Sequence, residues 1–115
     1  MPVQIFGTNK SNDSKKAQRF FKERRMEAQF FDLSGKISIG QLKTFVNRFG
    51  IDALIDKDSK AYEKSGLEYM RVSDDELLEK LLANPKLMQQ PLLKDGNTLS
   101  IGWDEQYWRD SIESK

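Results

Sequence analysis

The run Val3 to Phe6 (V-Q-I-F) alternates apolar and polar positions, the period of a short strand with one buried face. Gly7-Thr8-Asn9-Lys10 interrupts it as a turn, and the period then lengthens. Ala17, Phe20, Phe21 and Arg24 recur at the spacing of one helix face, with Lys15, Arg19 and Lys22 on the opposite side. The helix should begin near Ser11, a suitable N-cap. Asp13 favours its first turn, because a carboxylate there meets the positive end of the helix dipole. Ala28 to Leu33 (A-Q-F-F-D-L) predicts a second strand, broken by Ser34-Gly35-Lys36. Ser38-Ile39-Gly40-Gln41 has the form of a capping box, and Leu42, Phe45, Val46 and Phe49 supply a helical stripe that ends before Gly50.

Periodicity fades from Ile51 to Leu67, where a short helix is expected around Ala61 to Lys64, ended by Gly66. Ser73-Asp74-Asp75-Glu76 repeats the capping-box form ahead of Leu77, Leu78, Leu81 and Leu82. Asn84-Pro85 stops that helix, since a residue before proline is pushed out of the α region. Leu92-Leu93-Lys94, an Asp95-Gly96-Asn97 turn and Thr98 to Ile101 predict a β-hairpin around Asp-Gly. Trp103 to Ile112 predicts a last helix with Tyr107, Trp108 and Ile112 toward the core. The order β-α-β-α-α-α-β-β-α implies an α/β fold, a small mixed sheet flanked by helices. A chain of 115 residues fits one domain, 1–115, and contains no internal repeat, linker or low-complexity segment.

Composition narrows the chemistry by what is missing. Cysteine and histidine are both absent. No disulfide can form, no thiolate can attack, and no Cys/His metal site can be built. The most common general base near neutral pH is missing as well. Carboxylates remain as ligands for hard cations, but no D-x-D-x-D-G run is present, so no metal is expected. The net charge of +1 is far from that of a dedicated nucleic-acid binder. Trp103, Tyr107 and Trp108 stand among Asp104, Glu105 and Asp110 rather than in a basic groove, which also argues against nucleic acid. No apolar run reaches the length of a membrane span, and the N-terminus lacks a signal-peptide core. The expectation is a cytoplasmic monomer.

Three stretches carry a family resemblance: V-Q-I-F-G-T-N-K-S-N-D-S-K-K-A at residues 3–17, L-L-A-N-P-K-L-M-Q-Q-P-L-L at 81–93, and L-S-I-G-W-D-E-Q-Y-W at 99–108. Together they resemble the arsenate reductase-like (ArsC/Spx/YffB) family, in order and spacing across nearly the whole chain. The second stretch is similar to the family's N-P-x-L-x-x-R-P signature. The third resembles the ending of the Spx and YffB-like branches. The resemblance implies a thioredoxin-like sheet with a helical insertion between its halves, and a cis proline entering the third strand, here Pro91.

The same resemblance implies a reactive cysteine at a helix N-terminus, where unpaired N–H groups and the dipole stabilise a thiolate or bind an oxyanion. The matching residue is Ser11. Ser14 matches the second cysteine of the C-x-x-C form. A serine hydroxyl stays protonated without an adjacent base. Three readings of Ser11 stand: an N-cap, a hydroxyl nucleophile, or serine in place of a natural cysteine. The family's oxyanion-binding arginines correspond to Gln90 and, approximately, Asp56. Neither can replace a bidentate guanidinium. Asn9, Lys10 and Asn12, with Gln90, remain as an anion-binding loop. No cofactor is implied. Glutathione would be a co-substrate only if residue 11 is naturally cysteine, with glutaredoxin as the associated protein partner. The chain is thus expected to be a relative of glutathione- or glutaredoxin-linked arsenate reductases, inactive as written. The alternative is a non-catalytic Spx-like regulator that contacts RNA polymerase or another protein. The basic stripe Lys15, Arg19 and Lys22 would meet an acidic surface on a partner.

Overall fold

The computed structural model describes residues 2–35 and 38–113. The chain divides into two compact units, Met1–Leu33 with Gln90–Lys115, and Ser34–Gln89. The first unit is built from strands β1 (Val3–Gly7), β2 (Ala28–Asp32), β3 (Leu92–Asp95) and β4 (Thr98–Ile101). Helix α1 (Asn12–Glu23) connects β1 to β2. The sheet order is β2-β1-β3-β4. β1 runs parallel to β2, as a helical crossover allows, while β3 is antiparallel to both β1 and β4.

Strand alternation sends Val3, Ile5 and Leu93 to one face, where they pack with Ala17, Phe20 and Phe21 of α1 and with Trp108 and Ile112. Phe6 and Phe31, partners in the β1–β2 register, stack at 5.1 Å. The hairpin loop is Gly96-Asn97, not Asp95-Gly96 as its sequence suggests, because Asp95 pairs with Thr98. Gly96 takes the first central position with φ 62°, the sign that primed hairpin turns require.

The C-terminal segment starts at Asp104, whose carboxylate accepts from the Tyr107 N–H. One α turn, α5 (Glu105–Trp108), widens into a π turn over Arg109–Glu113. Trp108 is fully buried and its indole N–H donates to Ser100 Oγ at 2.8 Å. Tyr107 is exposed, contrary to expectation: Trp108 and Ile112 share one face, and the preceding residue is rotated about 100° away. Trp103 is also exposed, although its ring meets Trp108 edge-on at 4.8 Å.

Helix α1 ends without glycine. The Met26 N–H donates to Phe21 O and the Arg25 N–H to Lys22 O, the two bonds of a Schellman cap. That cap puts its penultimate residue in the left-handed region, and here this is Arg25 at φ 56°. Met26 then turns back onto the apolar cluster. Arg24 lies over Phe20, its guanidinium carbon 3.6 Å from the ring centroid, and pairs with Glu113 at 2.9 Å.

The second unit is helical: α2 (Ile39–Phe49), α3 (Lys60–Ser65) and α4 (Asp74–Ala83), separated by 3-10 turns. Both halves of the Ser38–Gln41 capping box form. Leu42 and Phe45 are buried, but Phe49, the last residue of α2, is exposed at the helix end. Gly66 ends α3 in the left-handed region, and Ser73 Oγ caps α4 through the Glu76 N–H. Two β-type hydrogen bonds tie the segment around Ile55 to the unit's C-terminal end: Asp56 N–H to Leu87 O at 2.8 Å, and Gln89 N–H to Leu54 O at 2.7 Å. The expected break after β2 is seen at Ser34 and Gly35, while Lys36 lies outside the described residues. Among the described residues no helix is long and apolar enough to cross a membrane.

Candidate functional site

The loop from β1 to α1 holds most of the candidate residues that the family resemblance singles out. Ser11 has extended backbone angles, and its Oγ accepts from the Ser14 N–H at 3.1 Å. It is therefore the N-cap of α1, satisfying a donor that the helix cannot use internally. The Ser11 N–H in turn donates to Thr8 O, which closes the loop. Asn9 and Lys10 lie on the same loop and Asn12 opens α1; all three are exposed.

Gln90 comes from the chain entering β3 and turns its carboxamide oxygen into this loop. That oxygen accepts from the Thr8 N–H at 2.9 Å, from Thr8 Oγ1 at 3.1 Å and from Ser14 Oγ at 3.4 Å. The Thr8 N–H can only donate, so the oxygen end must face it. The next peptide bond, Gln90–Pro91, is cis. Pro91 O accepts from the Gly102 N–H at 2.9 Å, holding the entry to β3 against the chain leaving β4.

Ser14 is fully buried, a role that its match to a second reactive position does not suggest. The signal was present in the spacing: Ser14 precedes Ala17 and Phe21 on the same stripe of α1. Its room comes from Gly7. A β-carbon on Gly7 would fall 2.7 Å from Ser14 Cβ and closer still to Ser14 Oγ. A bare backbone at the end of β1 lets the first turn of α1 come down onto the strand.

Asp56 lies in the helical unit, where it shapes a turn. Its carboxylate accepts from the Asp58 N–H at 3.2 Å, and its carbonyl accepts from Ser59. Among the described residues, no three carboxylates gather where they could hold a metal ion.

A sequence model of the ArsC family matches residues 6–111, the span that holds this loop, the cis proline and the hairpin. The chain belongs to the ArsC family. This ArsC-family protein is 25% identical over 118 residues to the global transcriptional regulator Spx 2 of Oceanobacillus iheyensis, a match covering 100% of this chain and 87% of that one. Its structure is similar to that of a YFFB protein, with a TM-score of 0.84 at 17% identity, over 96% of this chain and 98% of that one. It is also similar to an arsenate reductase from Vibrio cholerae, with a TM-score of 0.76 at 20% identity, over 95% and 94% of the two chains. At such identities the likeness is one of fold. The α/β, thioredoxin-like architecture expected from the sequence, with its four-stranded mixed sheet, is the fold of this ArsC-family protein.

Proposed function

We propose that this chain is a non-catalytic ArsC-family protein that acts by binding a protein partner. The observation that carries the reading is Ser11. It stands at the family's reactive position as an N-cap, in a chain with no cysteine to supply a thiolate and no histidine to activate a hydroxyl. The Gln90 oxygen adds support. It occupies the Thr8 N–H, Thr8 Oγ1 and Ser14 Oγ donors that an incoming oxyanion would seek. A regulator among the relatives, Spx 2, makes a component of the transcription machinery such as RNA polymerase the first partner to test. The protein acts as a soluble cytoplasmic monomer in this reading.

A second reading is a glutathione- or glutaredoxin-linked reductase whose natural residue 11 is cysteine. It is favoured by the near-isosteric geometry: a sulfur at residue 11 would accept the Ser14 N–H at the N-terminus of a twelve-residue helix.

Two measurements separate them. Peptide mass spectrometry of the protein isolated from its source cells identifies residue 11. Assays of the purified chain and of Ser11→Cys then test arsenate reduction with glutathione and glutaredoxin, and binding to purified RNA polymerase. The proposal expects serine at residue 11, no turnover by the purified chain, and a saturable complex with the polymerase. Turnover by the purified chain overturns it. So does cysteine in the native protein, joined with a Ser11→Cys thiol that titrates below the ordinary value of about 8.5 and supports turnover.

A further inference from the structure

β2 is an edge strand: it pairs with β1 on one side and ends the sheet on the other. Beside it, on the α1 side of the sheet, runs an open groove of about 490 Å³. Ala28 and Phe30 of β2 form one wall, and Gln18, Lys22 and Arg25 of α1 and its exit turn form the other. Met26 adds apolar surface at the end. Met26, Ala28 and Phe30 are only partly buried against the core beneath.

The helix wall is positively charged. Its cations are Lys22 and Arg25; Lys16, Arg19 and Arg24 line a separate pocket together with Glu23. Among the described residues Arg24 pairs with Glu113, while Lys22 and Arg25 form no ion pair. Glu27 also lines the groove and is bonded to neither. Arg25 is the unusual residue. It holds the left-handed position of a Schellman cap, where glycine carries no steric penalty and other residues cost about 1 kcal/mol. The cap thus keeps a strained cation at the mouth of the groove.

An edge strand facing a helix across a half-apolar groove is the geometry of strand addition. Backbone hydrogen bonds to the edge supply affinity, and alternate side chains of the added strand drop into the groove. Two unpaired cations on the helix wall select the charge of those side chains. We infer that the β2–α1 groove binds an extended acidic segment of a protein partner, which adds to the β2 edge and places carboxylates against Lys22 and Arg25. The inference rests on the partner-binding reading and names the surface through which it operates. A nucleic acid fits less well, because it cannot continue the backbone ladder of a strand.

The probe is a blocked synthetic peptide alternating valine with aspartate or glutamate, titrated into the full chain by NMR and calorimetry. Binding should move the amide signals of β2 and of the Lys22–Met26 turn. A twin peptide carrying the corresponding amides should bind at least about tenfold more weakly. N-methylation of alternate peptide nitrogens should abolish binding, since strand addition needs those donors. Lys22→Glu reverses an exposed, unpaired charge and should weaken binding about tenfold. Arg25→Gly is the sharper variant: it should raise the thermal midpoint of the chain and yet weaken the peptide complex. Absence of binding, binding that survives N-methylation, or signal changes away from β2 and α1 would each overturn the inference. A dimer formed through β2 that excludes the peptide, or equal binding of single-stranded DNA, would do the same. If polymerase binding persists undiminished in Lys22→Glu, the groove is wrong and the partner-binding reading stands. If the peptide binds as described while the purified chain turns over arsenate, the groove stands and that reading fails.

Discussion

Gly7 shows how one absent side chain sets the geometry of the candidate site. Its Cα faces Ser14, and an added methyl has no unoccupied direction there. Gly7→Ala should destabilise the chain by about 2–3 kcal/mol through overpacking, read as a lowered midpoint in urea. Combining it with Ser14→Gly should recover much of that loss, because the two residues contact each other directly. Equal destabilisation in the single and double variants would show that the clash is not the cause. Lys57 illustrates a different kind of local effect. Its hydrogen bond to Asp52, and then the attraction of that carboxylate, raise its pKa above 10.5. A raised lysine pKa means stabilisation present below the ordinary value and lost as pH climbs through the raised one. Asp52→Asn should therefore let Lys57 titrate at lower pH, followed by the chemical shift of its terminal carbon. Little change in stability is expected at neutral pH, since both side chains are largely exposed to solvent.

The elements were legible where side-chain spacing and capping agreed. α1 begins at its expected serine, α2 runs from a complete capping box to Gly50, and the Asn84-Pro85 stop holds. The misses have local causes. The 3-10 turn over Ile51–Leu54 carries no periodic signal of its own, because one turn is too short to show a stripe. The Schellman cap at Arg25 lacks the glycine that normally announces it. Tyr107 is expected inside together with Trp108 and Ile112, but the segment has a narrow apolar face on which only Trp108 and Ile112 fall. At the site, Ser11 as cap was readable from the sequence. The Gln90 oxygen in the loop was not, since it depends on a contact across 82 positions. Trp108 is the residue on which the C-terminal segment depends. It is edge-on to Phe20, packs on Phe21 and donates to buried Ser100. Trp108→Phe should cost about 2–4 kcal/mol, from lost volume and an unsatisfied Ser100 hydroxyl, measured by denaturant unfolding.

In the molecule as a whole, the two compact units differ in how they are assembled from the chain. The helical one is a single stretch, whereas the sheet unit joins the first 33 residues to those from Gln90 onward. Within the sheet β1 is flanked by partners on both sides, while β2 and β4 each have one. Native-state hydrogen exchange should therefore find its slowest amides at Ile5 and Phe6 in β1 and Leu93 in β3, with β2 and β4 exchanging faster. Uniform protection across the four strands would contradict this ordering.

The bond between Thr8 and Gln90 spans 82 positions of sequence. Bringing its ends together carries a chain-closure entropy that grows only with the logarithm of the intervening length. Doubling that length adds about 0.6 kcal/mol. The segment between the two halves of the sheet can therefore lengthen or shorten with little effect on the equilibrium, while a single methyl at Gly7 cannot be absorbed. Evolutionary change in this architecture should accumulate as insertions and deletions within the span and as restraint at its junctions.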